Sequence, residues 1–207
     1  RAMVEWADES TPDPYERQAI INAASNVLSR AGMPDIAKPL LLAELEKSKE
    51  PYYFMLALAD IEQEAGNYDE ALKWLRKAYD VSTGPATRFQ WGYYYLAGLL
   101  EMTAEDTEII QSATIEVIRE LGSGSGFYQR PKAQLGRLEE KLLQWSEETE
   151  QADAINAIRV EVLTVCGNFA DQQGSFETCQ SFLEINGLFC CSHSQLYCFA
   201  PMRKWIA

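Results

Sequence analysis

The stretch AGNYDEALKW, residues 65–74, decides the predicted fold. Gly66 suits the left-handed conformation in which many helices end, and Asp69 and Glu70 suit the first turn of a following helix. Apolar residues recur at helical spacing on both sides of this turn: Phe54, Leu58 and Ile61 before it, and Ala71, Trp74, Leu75 and Ala78 after it. The sequence therefore predicts two amphipathic helices that meet at Gly66, the second of which is stopped by Pro85.

The same pattern occurs 34 positions earlier, in AGMPDIAKPLL at residues 31–41. Four residue types keep this spacing, namely Gly32 and Gly66, Asp35 and Asp69, Ala37 and Ala71, and Leu41 and Leu75. A period of 34 residues is that of the tetratricopeptide repeat (TPR), a helix–turn–helix unit. The later unit resembles this repeat at Leu58, Ala59, Gly66, Tyr68, Ala71, Leu75 and Ala78.

The other helical hairpins follow the repeat less closely. In the first unit Glu44 stands where the repeat usually has alanine, and Pro39 predicts a kink or a late start of the second helix, because proline lacks the backbone donor. A third pair of helices is predicted over 86–102 and 106–121, with Leu100 in place of the turn glycine. The second of these places four apolar residues mostly on one side, namely Ile110, Ala113, Ile115 and Ile118.

A fourth hairpin is predicted after GSGSGF, residues 122–127, which we interpret as a flexible linker rather than a nucleotide loop because a helix precedes it. A short element around SFETCQSFL, residues 175–183, ends the ordered pattern. We therefore predict an all-α fold of antiparallel hairpins, stacked as a right-handed TPR-like solenoid over residues 1–183, with a sub-boundary at 122–126. Residues 184–207 form an atypical, cysteine-rich tail whose LFCCSHSQLYCF is compatible with two short strands.

The charge of the chain bears on its partners. Thirty-one Asp and Glu against 18 Lys and Arg give a formal net charge of −13. Such a surface repels nucleic acid and anionic membranes, so neither is an expected partner. The sequence also has no apolar run of about 18 residues that would span a bilayer.

No catalytic centre, metal or cofactor is expected from the ionisable residues. The acidic pairs Glu62/Glu64 and Glu139/Glu140 suggest solvated helix faces. A di-iron bundle or a nucleophile–histidine pair requires histidine at several positions or beside the nucleophile, and the one histidine is His193 in the tail.

Aromatic residues are concentrated in PYYFM, residues 51–55, and RFQWGYYYL, residues 88–96. Two interpretations remain open for them. Five of them would frame a groove for a basic or neutral peptide if the first helix of each hairpin lines a concave side: Tyr52, Tyr53, Trp91, Tyr94 and Tyr95. The alternative is a core stripe, for which Phe89, Tyr93 and Leu96 have the required spacing.

The cysteines also leave two interpretations. Cys166 and Cys179 are 13 residues apart, a spacing that suits either a disulfide, worth on the order of 3 kcal/mol, or two reduced thiols. In the tail, Cys190, Cys191, His193 and Cys198 are a candidate zinc-ligand set. Adjacent cysteines are awkward ligands for one tetrahedral ion, so an unpaired tail is the simpler interpretation.

Three further stretches carry a second resemblance: WADESTPDPYERQAIINAASNVL, GPATRFQWGYYYLAGLLEM and GFYQRPKAQLGRLEEKLLQW, followed by VCGNF and TCQSFL. Over about residues 6–183 the chain resembles the helical C-terminal region of bacterial thioredoxin-family proteins exported to the periplasm. This resemblance implies an N-terminal thioredoxin-fold domain before residue 1, against which the helices would pack, and an oxidised Cys166–Cys179 pair. It assigns no catalytic residue to this chain.

Together these observations predict a non-catalytic, TPR-like domain for protein–protein interaction, periplasmic by resemblance, with a cytoplasmic location as the alternative. Any thiol-disulfide oxidoreductase activity would belong to the missing domain. The competing hypothesis is a thiol-redox or zinc-binding module that acts through the C-terminal cysteines.

Overall fold

The structure is a computed structural model, and it describes residues 13–122, 129–169, 177 and 179–183. Within these ranges the chain has no β-strand, which confirms the predicted all-α class. The helices are α1 (Pro14–Arg30), α2 (Pro34–Glu44), α3 (Tyr52–Glu64), α4 (Tyr68–Val81), α5 (Pro85–Met102), α6 (Thr107–Gly122), α7 (Gln129–Thr149) and α8 (Ala152–Cys166), and a 3-10 turn, Gly167–Phe169, follows. The tail at 184–207 lies outside the described residues, as do residues 123–128, which include all of the predicted linker except Gly122.

The predicted turn at Gly66 is confirmed. α3 ends at Glu64, Gly66 has a φ of +77°, and α4 begins at Tyr68. The backbone N–H of Asn67 donates to the carbonyl of Glu62 at 2.8 Å, which satisfies one of the last carbonyls of α3. The short sequence between the helices therefore fixes how they meet.

Two predictions about proline are corrected. α2 begins at Pro34 and continues through Pro39, so the predicted late start is wrong. Burial of Ala37 and Leu41 holds this helix against its neighbours and offsets the one hydrogen bond that Pro39 cannot make. α4 has already ended at Val81, and Pro85 instead opens α5, where its missing N–H costs nothing.

Each helix from α1 to α5 packs against the next one along the chain, and α7 packs against α8. Contacts also join alternate helices, α1 with α3, α5 with α7 and α6 with α8. α5 can approach α6 closely because it carries Gly92, where an added Cβ would lie 2.6 Å from a methyl group of Val117. Val117 is buried in this interface and Ile115 only half-buried, which corrects the predicted stripe of α6.

The helices enclose two apolar clusters. A small one lies between α1, α2 and α3 and contains Ile21, Leu41 and Leu58, all fully buried. A large one extends from α3 to residue 183 and includes the predicted core stripe Phe89, Tyr93 and Leu96. The small cluster forms the base of the site described next.

Candidate functional site

A groove of about 590 Å³ lies between α1 and α3, and we call it the α1–α3 groove. Its floor is apolar and comes from the small cluster, through Leu41, Ala57 and Ile61. Polar side chains from the two helices form its walls, namely Ser25, Asn26, Ser29 and Arg30 from α1 and Asp60 and Glu64 from α3. The packed apolar floor fixes the shape of the groove, and its polar walls are open to other molecules.

Asp60 and Glu64 are the distinctive feature of the α1–α3 groove. They are four residues apart and therefore share one face of α3. Neither carboxylate has a hydrogen bond or an ion pair within the described residues. The Asp60 side chain reaches water, but the groove walls around it partly desolvate the carboxyl. This desolvation, with the negative charge of Glu64, raises the pKa of Asp60. The groove thus holds uncompensated negative charge, with the cation Arg30 on the opposite wall.

Glu62, on the same helix, shows the opposite behaviour. Glu62 is only 4% exposed, so the prediction of a solvated acidic face is wrong at this position. Its carboxylate pairs with the ammonium of Lys38 and accepts a hydrogen bond of 2.9 Å from Asn67 Nδ2. These two donors lower the pKa of Glu62. Glu62 therefore joins α2 to the α3–α4 turn and has a structural role.

One further polar atom lines the groove without a partner. Ser29 Oγ is inaccessible to water and makes no hydrogen bond within the described residues. A buried hydroxyl without a partner costs free energy.

Of the five predicted aromatic residues, the structure brings four together. The Trp91 ring lies 4.8 Å from that of Tyr52, 5.2 Å from Tyr53 and 5.4 Å from Tyr94, centroid to centroid. Trp91 is only 1% exposed and Tyr52 8%, so the core interpretation describes these two positions. Tyr53 is 36% exposed and Tyr94 half-buried, and only these two can present a ring edge to a ligand.

Tyr95 lies apart from the other four. Its ring packs under the guanidinium of Arg76, with 5.5 Å between the charge and the ring centroid. Both residues line a second groove of about 690 Å³, formed by α4, α5 and the start of α6. The five aromatic residues therefore do not frame the single groove that the sequence had suggested.

The cysteines fall into two groups. Cys166 and Cys179 form a disulfide, with 5.5 Å between their Cα atoms. The zinc-ligand candidates Cys190, Cys191, His193 and Cys198 lie outside the described residues. In the part of the chain that the structure describes, no group of three or more His, Cys, Asp or Glu side chains is placed to hold a metal ion.

Sequence reasoning missed Asn26 and Asp60 as site residues and treated Glu64 only as part of a solvated face. A signal was present, because Asn26, Asp60 and Tyr94 follow one another at the repeat spacing of 34 residues. These three residues lie on α1, α3 and α5, each on one face of its helix. The sequence did not show which of these faces stays uncovered.

No helix in the described ranges is both long and apolar enough to cross a bilayer. Comparison of the chain with protein-family models, with curated proteins and with solved structures found no match.

Proposed function

We propose that this chain is a non-catalytic protein-interaction domain, built as a TPR-like right-handed solenoid, that binds a basic segment of a partner protein in the α1–α3 groove. The 34-residue spacing of the first two turns and the packing of α1 on α3 support the solenoid arrangement. In such an arrangement the first helices of successive hairpins line one continuous surface. The groove between α1 and α3 is part of that surface.

The observation that carries the proposal is the pair of unpaired carboxylates on α3. Because burial and Glu64 raise the pKa of Asp60, its ionised form costs stability instead of adding to it. A charge kept where it is unfavourable suits a binding role better than a structural one. A lysine or arginine side chain would supply the missing counter-charge, and an overall charge of −13 would draw such a segment towards the groove.

The wider context is also part of the proposal. The resemblance over residues 6–183 supports an exported protein in which this domain packs against an N-terminal thioredoxin-fold domain and presents partners to it. The disulfide between Cys166 and Cys179 supports an oxidising compartment. The periplasm meets both conditions.

Binding of peptides with different charge tests the groove. Three fluorescent peptides of equal length are compared, with lysine, glutamine or glutamate at every second position and the same residues at the other positions. Each is titrated with the full chain, and binding is followed by fluorescence anisotropy at low and high salt. We expect the lysine peptide to bind most tightly and to weaken as salt rises. The variant D60N/E64Q should bind it about tenfold more weakly, since two rim charges are lost.

The matched control is E140Q/E147Q, which removes two exposed carboxylates from α7 and changes the net charge by the same amount. Equal weakening by both double variants would show that bulk charge, not the groove, attracts the peptide. Equal affinity for the lysine and glutamate peptides would likewise contradict the proposal. Y53A and Y94A, tested separately, report whether the aromatic edge extends the binding surface.

A further inference from the structure

The last described residues, 179–183, form a short segment against α7 and α8, which we call the strap. Phe182 and Leu183 are fully buried, and they belong to the same apolar cluster as Leu138 and Leu142 of α7 and Val162 of α8. The strap therefore covers apolar side chains that the two helices would otherwise expose. Its attachment decides whether this part of the core is closed.

The strap is held at both of its ends. At one end, Cys179 is bonded to Cys166, the last residue of α8. At the other end, the backbone N–H of Leu183 donates to the Glu139 carboxylate on α7, with 2.6 Å between nitrogen and oxygen. Hydrogen bonds to a carboxylate are among the stronger ones. Glu139, which the sequence suggested to be a solvated residue, thus anchors the strap.

The backbone of the strap is held in an unfavourable conformation. Leu183 has a φ of +60°, in the left-handed region that side-chain-bearing residues rarely adopt. Its buried side chain and the bond to Glu139 have to offset this cost. Without the covalent tether, docking of the strap would also cost the entropy of closing a loop of 13 residues.

Both sulfur atoms are inaccessible, since Cys166 and Cys179 are each only 1% exposed. A thiolate can attack a disulfide only after reaching one of its sulfurs. The strap must therefore open locally before the bond can be reduced. The rate of reduction is then set by the contacts that hold the strap, including the bond to Glu139.

We propose that the Cys166–Cys179 disulfide is a redox latch, whose reduction by a dithiol releases the strap and uncovers the apolar side chains of α7 and α8. One thiolate of the dithiol attacks a sulfur of the latch, which breaks the S–S bond and forms a mixed disulfide. The second thiolate then displaces the remaining cysteine. Two electrons pass to the protein, both cysteines end as protonated thiols, and the dithiol ends as its own disulfide.

The latch goes beyond the proposed binding function and does not depend on it. The strap contacts α7 and α8, whereas the α1–α3 groove belongs to the other end of the described chain. Either proposal can therefore fail while the other holds.

Hydrogen exchange with mass spectrometry, on the full chain before and after treatment with dithiothreitol, tests the latch. Alkylation of free thiols, read peptide by peptide, reports the state of Cys166 and Cys179 separately from the three tail cysteines. We expect exchange in 179–183 and in the covered part of α7 and α8 to become at least about tenfold faster on reduction. Exchange in α3 and α4 should stay unchanged.

Three results would overturn the latch. One is unchanged protection of the strap after both cysteines are reduced. Another is loss of protection throughout the chain, which would make the disulfide a purely global stabiliser. The third is the finding of free thiols at Cys166 and Cys179 in protein isolated under oxidising conditions.

The rate of reduction gives a second measurement. E139Q weakens the bond to Leu183 and should release the Cys166 and Cys179 thiols several-fold faster in dithiothreitol. E140Q is the matched control, since this exposed neighbour makes no strap contact within the described residues and its loss should leave the rate unchanged. Equal rates for E139Q and the unaltered chain would show that the strap does not gate access to the sulfurs.

Discussion

The turns of the first two hairpins and the turn between α7 and α8 share one hydrogen-bond pattern but differ in sequence. In each turn a backbone N–H donates to the carbonyl five residues earlier: Met33 to Leu28 at 2.9 Å, Asn67 to Glu62 at 2.8 Å and Gln151 to Ser146 at 3.0 Å. In each, one residue has positive φ, which is Gly32 at +73°, Gly66 at +77° and Glu150 at +60°. Glycine adopts this conformation freely, and glutamate does not.

This difference shows two ways of closing a hairpin. The first two turns are closed by local sequence, because glycine makes the required backbone conformation inexpensive. The α7–α8 turn is closed by its surroundings, because the packing of the two helices has to offset the strain at Glu150. The disulfide and the strap belong to this same hairpin. Of the three hairpins compared, α7–α8 has the turn whose sequence favours the required conformation least. It is also the hairpin that the disulfide and the strap hold together.

Replacement of Gly66 by alanine should produce the largest change. No atom lies within 4 Å of the added Cβ, so the cost comes from the left-handed backbone alone. We expect G66A to lower the free energy of unfolding by about 1–2 kcal/mol, measured by urea denaturation. G136A, within α7 and equally open, is the control and should be neutral or slightly stabilising. A neutral G66A would contradict the view that local sequence closes this turn.

Replacement of Glu150 by glycine should act in the opposite direction and more weakly. The free energy gained by relieving the strained backbone exceeds the entropic cost that glycine adds by its freedom in the unfolded chain. We therefore expect E150G to raise the free energy of unfolding by about 0.5–1 kcal/mol. E147G, three residues earlier within α7, should instead lose about 1 kcal/mol. If E150G destabilises the protein as much as E147G, the backbone conformation of Glu150 does not lower the stability of the folded state.

The smallest expected effects are in the pH dependence of stability. The folded state lowers the pKa of Glu62 below the ordinary 4.5, so its ionised form is stabilising. This contribution is present above about pH 4.5 and is lost as the pH falls through the folded pKa. E62Q should therefore be less stable than the unaltered chain at neutral pH, and the two should converge in acid.

Asp60 should contribute a pH dependence of stability opposite in sign to that of Glu62. Its folded pKa is raised, so stability falls as the pH rises from its ordinary value of 3.8 through the folded pKa. D60N should then be as stable as the unaltered chain at neutral pH, or slightly more stable, when both are compared by urea denaturation across this range. A clear loss of stability in D60N would assign Asp60 a structural role and weaken the case for the groove.

Much of the helical order could be predicted from the sequence because it depends on local chemistry. The spacing of apolar residues located α3 and α4, and Gly66 located the turn between them. Pro39 was misjudged because burial of Ala37 and Leu41 outweighs the loss of one backbone hydrogen bond. The sequence left the disulfide open, since spacing alone cannot show whether two cysteines meet.

The candidate site was harder to predict, because helical spacing gives the face of a residue but not what covers that face. Trp91 and Tyr94 lie on one helix and within one aromatic cluster, yet Trp91 is buried and Tyr94 only half-buried. Glu62 and Glu64 are two residues apart, yet only Glu62 meets Lys38 and Asn67. Charge compensation depends on neighbours that are distant in the sequence.

The sequence by itself determined the all-α class, the position of the Gly66 turn and the negative charge of the surface, because each depends on composition or on residues within a few positions of one another. Only the tertiary structure decided that Glu62 is paired while Asp60 and Glu64 are not, that Trp91 is a core residue, and that Glu139 holds the strap. These properties depend on which helices pack together, and packing sets burial and charge pairing between residues far apart in the chain.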